Sequence, residues 1–141
     1  MPEMTSDEAM AFIAARPRTA KLATVKKDGS PHDVPIWVAV DGDQLVFNAG
    51  VRTAKGLAMK RDPRVSICVD DDQPPFSFVT IAGTVELTTD LDDMLKWATI
   101  IGGRYMGADR AEEYGRRNAV EGEYLVRVTP TRIIGQRDVA S

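Results

Sequence analysis

Arg52, Lys55, Lys60 and Arg61 place four cations within ten positions of a chain whose formal net charge is −3, with Thr53 among them and Ala49-Gly50 just ahead. Backbone N–H groups at a helix N-terminus, the helix dipole and flanking Arg and Lys side chains together form a phosphate site. From spacing alone a solvated basic face, balancing nearby aspartates, is the simpler account of the cluster. The segment does not follow the strict P-loop pattern.

Other reactive groups are sparse. His32 is the only histidine, which excludes a multi-histidine metal site and any two-histidine mechanism. It follows a turn, where an edge or solvated role is expected. A Ser-His-Asp triad would have to be built on it, and there is no Gly-x-Ser-x-Gly elbow. Cys68 is the only cysteine, so an intramolecular disulfide and a cysteine metal cluster are excluded. It alternates with Ser66 and Asp70 on an expected strand and lacks a basic neighbourhood in sequence, so it reads as an inert core thiol. Asp70-Asp71-Asp72 reads as solvated loop carboxylates in preference to a metal site. Trp97, Tyr105, Tyr114 and Tyr124 read as core or subunit-interface aromatics. No catalytic acid/base pair is legible, and catalytic residues stay unassigned.

The elements that must position these groups follow from pattern. Thr5-Ser6-Asp7-Glu8 has capping-box spacing and opens a helix through Met10, Phe12 and Ile13 that ends near Arg16-Pro17. Strands are expected over residues 19–25 and 32–40, joined by a turn carrying Asp28-Gly29, then over 44–48 after Asp41-Gly42-Asp43. A short basic helix over 51–61 is closed by Asp62-Pro63. Residues 64–70 and 76–87 are further strands, the latter bent at Gly83. Two helices, 91–101 and 108–120, are separated by Gly102-Gly103, and strands at 124–128 and 130–135 finish the chain. Hairpin-linked strands with helices at one end and late in the chain predict an α+β barrel. Adjacent hairpins and the lack of a Gly-rich strand-to-helix turn argue against a Rossmann fold.

Composition supports a globular protein. The chain has 141 residues, 43% hydrophobic and 28% charged, enough for one domain spanning 1–141 with its own core. The acidic balance gives no field for nucleic acid. No apolar run approaches the about 18–20 residues that span a bilayer, and the start carries no secretory pattern, so a cytoplasmic location is the expectation.

These segments carry a resemblance. Leu22-Ala23-Thr24-Val25-Lys26-Lys27-Asp28-Gly29-Ser30-Pro31-His32, Pro35-Ile36-Trp37, Leu45-Val46-Phe47, Arg52-Thr53-Ala54-Lys55-Gly56 and Asp62-Pro63-Arg64-Val65-Ser66 resemble the pyridoxamine-phosphate-oxidase-like split barrels over nearly the whole chain. Within these the chain looks most like the branch that uses the deazaflavin F420. The hairpin and the Arg-x-x-Lys to Asp-Pro-Arg-Val-Ser segment are fairly specific for the superfamily and are shared with FMN-binding members. The resemblance implies a six-stranded antiparallel split barrel flanked by helices (the FMN-binding split barrel), dimerised through the barrel with cofactor sites between subunits. It implies that Asn48, Arg52, Thr53 and Lys55 hold the cofactor phosphate. Val34, Pro35, Ile36 and Trp37 would lie along the ring system, and Lys60 and Arg61 would reach the cofactor tail. The ending Gln136-Arg137-Asp138-Val139-Ala140-Ser141 does not match the substrate motif of true pyridoxamine phosphate oxidases, so that activity is not expected.

The function implied is an F420H2-dependent reductase passing hydride to a conjugated small molecule, with solvent, Tyr105 or Lys26 as proton sources. The alternatives are an FMN-dependent oxidase or flavin reductase, and a non-catalytic carrier of F420 or a tetrapyrrole. No metal, nucleic acid or membrane partner is implied.

Overall fold

The computed structural model describes residues 3–141. The capping box forms as expected: Thr5 Oγ1 accepts from Glu8 N–H at 3.1 Å and Glu8 Oε1 accepts from Thr5 N–H at 2.9 Å. It opens α1 (Ser6–Ala15), which buries Ala9, Met10 and Ile13. β1 (Ala20–Val25) and β2 (Pro31–Ile36) form a hairpin. In its turn Asp28 accepts from the Ser30 N–H and hydroxyl, and Gly29 has a φ of +87° that a Cβ would disfavour. β3 (Ala39–Asp41) and β4 (Gln44–Gly50) form a second hairpin. α2 (Ala54–Arg61), β5 (Arg64–Asp70), β6 (Phe78–Thr88) and α3 (Leu91–Met106) follow; then come a 3-10 turn at Ala108–Arg110, α4 (Ala111–Asn118) and β7 (Glu123–Gln136).

All ladders are antiparallel and the order is β2-β1-β5-β6-β7-β4-β3. The sheet therefore has seven strands, not six, and is not closed. The expected strand over 32–40 is divided at Trp37 and Val38, because the Val38 N–H donates to the Tyr105 hydroxyl at 3.1 Å instead of to a neighbouring strand. β2 and β3 are the two edges of the sheet, yet only Trp37 and Val38 separate them in the chain. Three Cα steps hold the edges within about 11 Å of each other, so the sheet is rolled with an unladdered seam, as in a split barrel. The two strands expected after residue 124 are one, β7. Its register against β6 shifts between Ala82 and Gly83, opposite Pro130, so the proline is absorbed by a bulge.

The inner face holds the main core: Leu22, Leu45, Phe47, Ile67, Val69, Val79, Ile81, Val126 and Val128, closed by Ile13 and Met59. On the outer face, Val46 and Leu125 pack against Met94, Trp97 and Ile101 of α3. Gly102 and Gly103 do not break that helix, contrary to expectation. A Cβ on Gly102 would stand 2.5 Å from Tyr114 Cβ and one on Gly103 3.1 Å from Ala111 Cβ. The pair lets α4 lie close on α3, and the helix stops at Gly107, φ +102°. Among the described residues no helix is long and apolar enough to cross a membrane.

Candidate functional site

Along β4 the side chains alternate: Leu45, Phe47 and Ala49 enter the barrel, while Val46 packs toward α3. Asn48 shares the Val46 side by period two. β7 places Leu125 opposite Asn48 and Glu123 opposite Gly50. Between this outer face, the end of β2, α2, α3 and α4 lies a cavity of about 290 Å³ lined by Pro35, Ile36, Trp37, Asn48, Lys55, Ile101, Asn118 and Glu123.

Five of the ten residues expected to hold a cofactor meet here: Pro35, Ile36, Trp37, Asn48 and Lys55. Asn48 Nδ2 is buried without a hydrogen-bond partner, a cost of roughly 1–3 kcal/mol unless a ligand accepts from it. Lys55 is in the first turn of α2, and among the described residues it makes no ion pair. Trp37 is held by stacking on Tyr105, centroids 5.1 Å apart and planes within 5°, and by a tilted contact with Tyr114 at 5.8 Å. Burial pushes the Glu123 carboxyl above its ordinary value, against the pull of Lys55.

The other five are placed elsewhere. Val34 sits across from Leu22 and packs on the barrel core. Thr53 caps α2, its hydroxyl accepting from Gly56 N–H at 3.1 Å and donating to Gly50 O at 2.7 Å. Gly56 is obligatory in this turn, because a Cβ there would collide with the Gly50 carbonyl oxygen. Arg61 donates to Val25 O at 2.6 Å, tying α2 to β1. Arg52 and Lys60 are exposed and do not line the cavity.

Tyr105 is engaged on both sides: its hydroxyl accepts from Val38 N–H and donates to Arg18 O at 2.6 Å. It positions the Trp37 segment and has no spare proton aimed at the cavity. Lys26 is exposed in the β1–β2 turn. Cys68 is not the core thiol that its strand pattern suggests: Val65, Ile67 and Val69 point inward, and Cys68 is half-buried on the opposite face. Asp70 pairs with Lys21, and Asp71 with Arg16 and Arg18. No group of three metal-ligating side chains exists among the described residues.

Sequence reasoning missed Ile101, Asn118 and Glu123. Each stands alone in its segment, and only the fold brings it to the cavity. A larger hollow of about 700 Å³, between α1, the β3–β4 turn and the second half of β7, includes Met10, Val40 and Ile133 with Asp7 and Asp43. It contains no cation, and its two carboxylates would repel a phosphate, so chemistry and not volume selects the smaller cavity.

A split antiparallel barrel with a cation, amides and a tryptophan at its outer face defines a class of small cofactor-binding barrels. The chain matches the family described as pyridoxamine 5'-phosphate oxidase over residues 5–136 and belongs to that family. Three solved structures are similar to it. A conserved hypothetical protein, Rv2991, from Mycobacterium tuberculosis superposes with a TM-score of 0.79 at 24% identity, over 92% of this chain and 82% of that one. An F420 reductase matches with a TM-score of 0.65 at 26% identity, over 87% and 94%. HutZ, a haem storage protein from Vibrio cholerae, matches with a TM-score of 0.73 at 14% identity, over 98% and 100%, a likeness of fold alone.

The residues present fit a flavin-type group. An unpartnered buried amide N–H and a lysine await an acceptor and an anion, and Ile36, Trp37 and Ile101 offer an apolar wall to a planar ring.

Proposed function

We propose that this protein binds the deazaflavin F420 and, with the cofactor reduced, acts as a reductase of conjugated small molecules. The observation that carries this reading is the buried, unpartnered Nδ2 of Asn48 in the same cavity as Lys55. Lys55 would attract the cofactor phosphate, and Asn48 would donate to an acceptor on the ring or its chain. Ile36, Trp37 and Ile101 would exclude water from one side of the ring, with Tyr105 fixing the Trp37 plane. The bound cofactor would supply hydride, and the protein orientation and electrostatics. This division of labour agrees with the lack of a catalytic acid/base pair.

The 26% identity to an F420 reductase supports the choice of cofactor. The working form is a homodimer in which the partner covers the open side of each cavity, a state that sedimentation equilibrium reads directly. A haem-carrying role has less support, because His32 is on β2, across from Thr24 and outside the cavity. The test is turnover: F420H2 consumption, followed by absorbance, against quinones and enones. Consumption that depends on protein and acceptor supports the reductase. Tight binding without turnover on any acceptor would make the protein a carrier, and turnover with FMN alone would transfer the activity to flavin.

A further inference from the structure

Glu123 opens β7 opposite Gly50, and its carboxylate lies close to that glycine. A Cβ on residue 50 would stand 2.9 Å from Thr53 Cγ2 and 3.0 Å from Glu123 Oε2, so the glycine lets both the α2 cap and the carboxylate lie close to β4. The carboxylate lines the same cavity as Lys55 and Asn48. Among the described residues it accepts no hydrogen bond and forms no ion pair, even with Lys55. The cavity thus presents a cation, an unpartnered amide donor and a half-buried acceptor that do not satisfy one another.

A ligand that satisfies all three must carry an anion for Lys55, an acceptor for Asn48 and a hydrogen-bond donor for Glu123. A bare anion would be repelled by Glu123, and an ammonium group placed for Glu123 would crowd Lys55. Hydroxyls adjoining a phosphate meet every requirement. We propose that Glu123 is a specificity-determining residue of this site, its carboxylate accepting from hydroxyls of a polyol chain next to the anion that Lys55 attracts. The assignment rests on the cofactor reading above and extends it to a residue with no counterpart among those expected.

Fluorescence titration of the full chain at pH 7 tests it with two ligands: F420 and its phosphate-free precursor, which keeps the ring and the ribityl chain. Glu123→Ala is expected to weaken both by a similar factor, on the order of tenfold, whereas Lys55→Ala weakens F420 selectively. Glu123→Gln keeps the size and one acceptor oxygen and should weaken the precursor about threefold. Unchanged binding of both ligands by Glu123→Ala would overturn the assignment. So would a gain confined to F420, which would mark Glu123 as a residue that merely repels phosphate. Should circular dichroism show that the alanine variant is unfolded, Glu123→Gln decides, and precursor binding equal to wild type contradicts the proposal. A wild-type protein that binds neither ligand defeats the cofactor reading and this assignment with it.

Discussion

Thr53 and Lys55 are two positions apart and do different work. Thr53 spends its hydroxyl on the α2 cap, while Lys55 reaches the cavity. In the sequence both belong to one basic cluster, and residue type alone does not divide them. Cap geometry divides them, because an N-cap hydroxyl that accepts from the third residue on is already satisfied. Asn48 was legible only through resemblance, and Glu123 not at all, since an isolated acidic residue at a strand start carries no pattern.

The other end of α2 yields a pH prediction. Asp62 accepts from the Arg64 side chain at 3.0 and 2.8 Å and from its backbone N–H at 3.1 Å. These bonds hold its carboxyl at about 2, below the ordinary 3.8. A carboxyl depressed in the folded state adds stability that is complete above its unfolded value and is lost as pH falls toward the folded one. Thermal melts between pH 4 and pH 2 should therefore fall less steeply for Asp62→Asn than for wild type. Parallel slopes would show that the Arg64 contacts do not persist in solution.

At the scale of elements, most of the architecture could be read from periodicity and turns. The capping box, both hairpins and the alternation of Val65, Ile67 and Val69 lie where the pattern puts them, while at Gly83 the structure shows a register shift whose extra residue is on β7. The failures share a cause: a local signal was overruled by a tertiary contact. Trp37-Val38 reads as mid-strand until Tyr105 takes the Val38 N–H. Gly102-Gly103 reads as a helix break until α4 is laid against it.

That second case can be measured. Alanine in place of a mid-helix glycine ordinarily gains roughly 0.5–1 kcal/mol. Here the added Cβ would meet Tyr114 Cβ at 2.5 Å, and overpacking of this kind costs about 1–3 kcal/mol. Gly102→Ala should lower the urea midpoint, by about 1–2 kcal/mol of stability when the two effects are combined. A raised midpoint would mean that α4 does not pack on α3 as described.

For the whole molecule, the split in the barrel and the site are one feature. The chain crosses from one sheet edge to the other through Trp37 and Val38, and that crossing supplies the aromatic wall of the cavity. Lys55 and Glu123 arrive from the two strands next inward from β3, one after β4 and the other at the start of β7. A fully laddered barrel would leave Val38 N–H bonded within the sheet and would not free this segment. The inner face is filled by apolar core, so the cofactor proposed above would have to lie on the outside of the barrel.

In the function proposed above, this cavity holds the cofactor and Lys55 anchors its phosphate. The most direct test of this claim is a fluorescence titration of wild type and Lys55→Ala with F420, run in parallel with FMN. Tighter binding of F420 than of FMN by wild type is predicted, with a loss of about tenfold or more in the variant at an unchanged circular dichroism spectrum. Equal affinity of wild type and Lys55→Ala for F420 would contradict the claim, because the anion would then be held somewhere else.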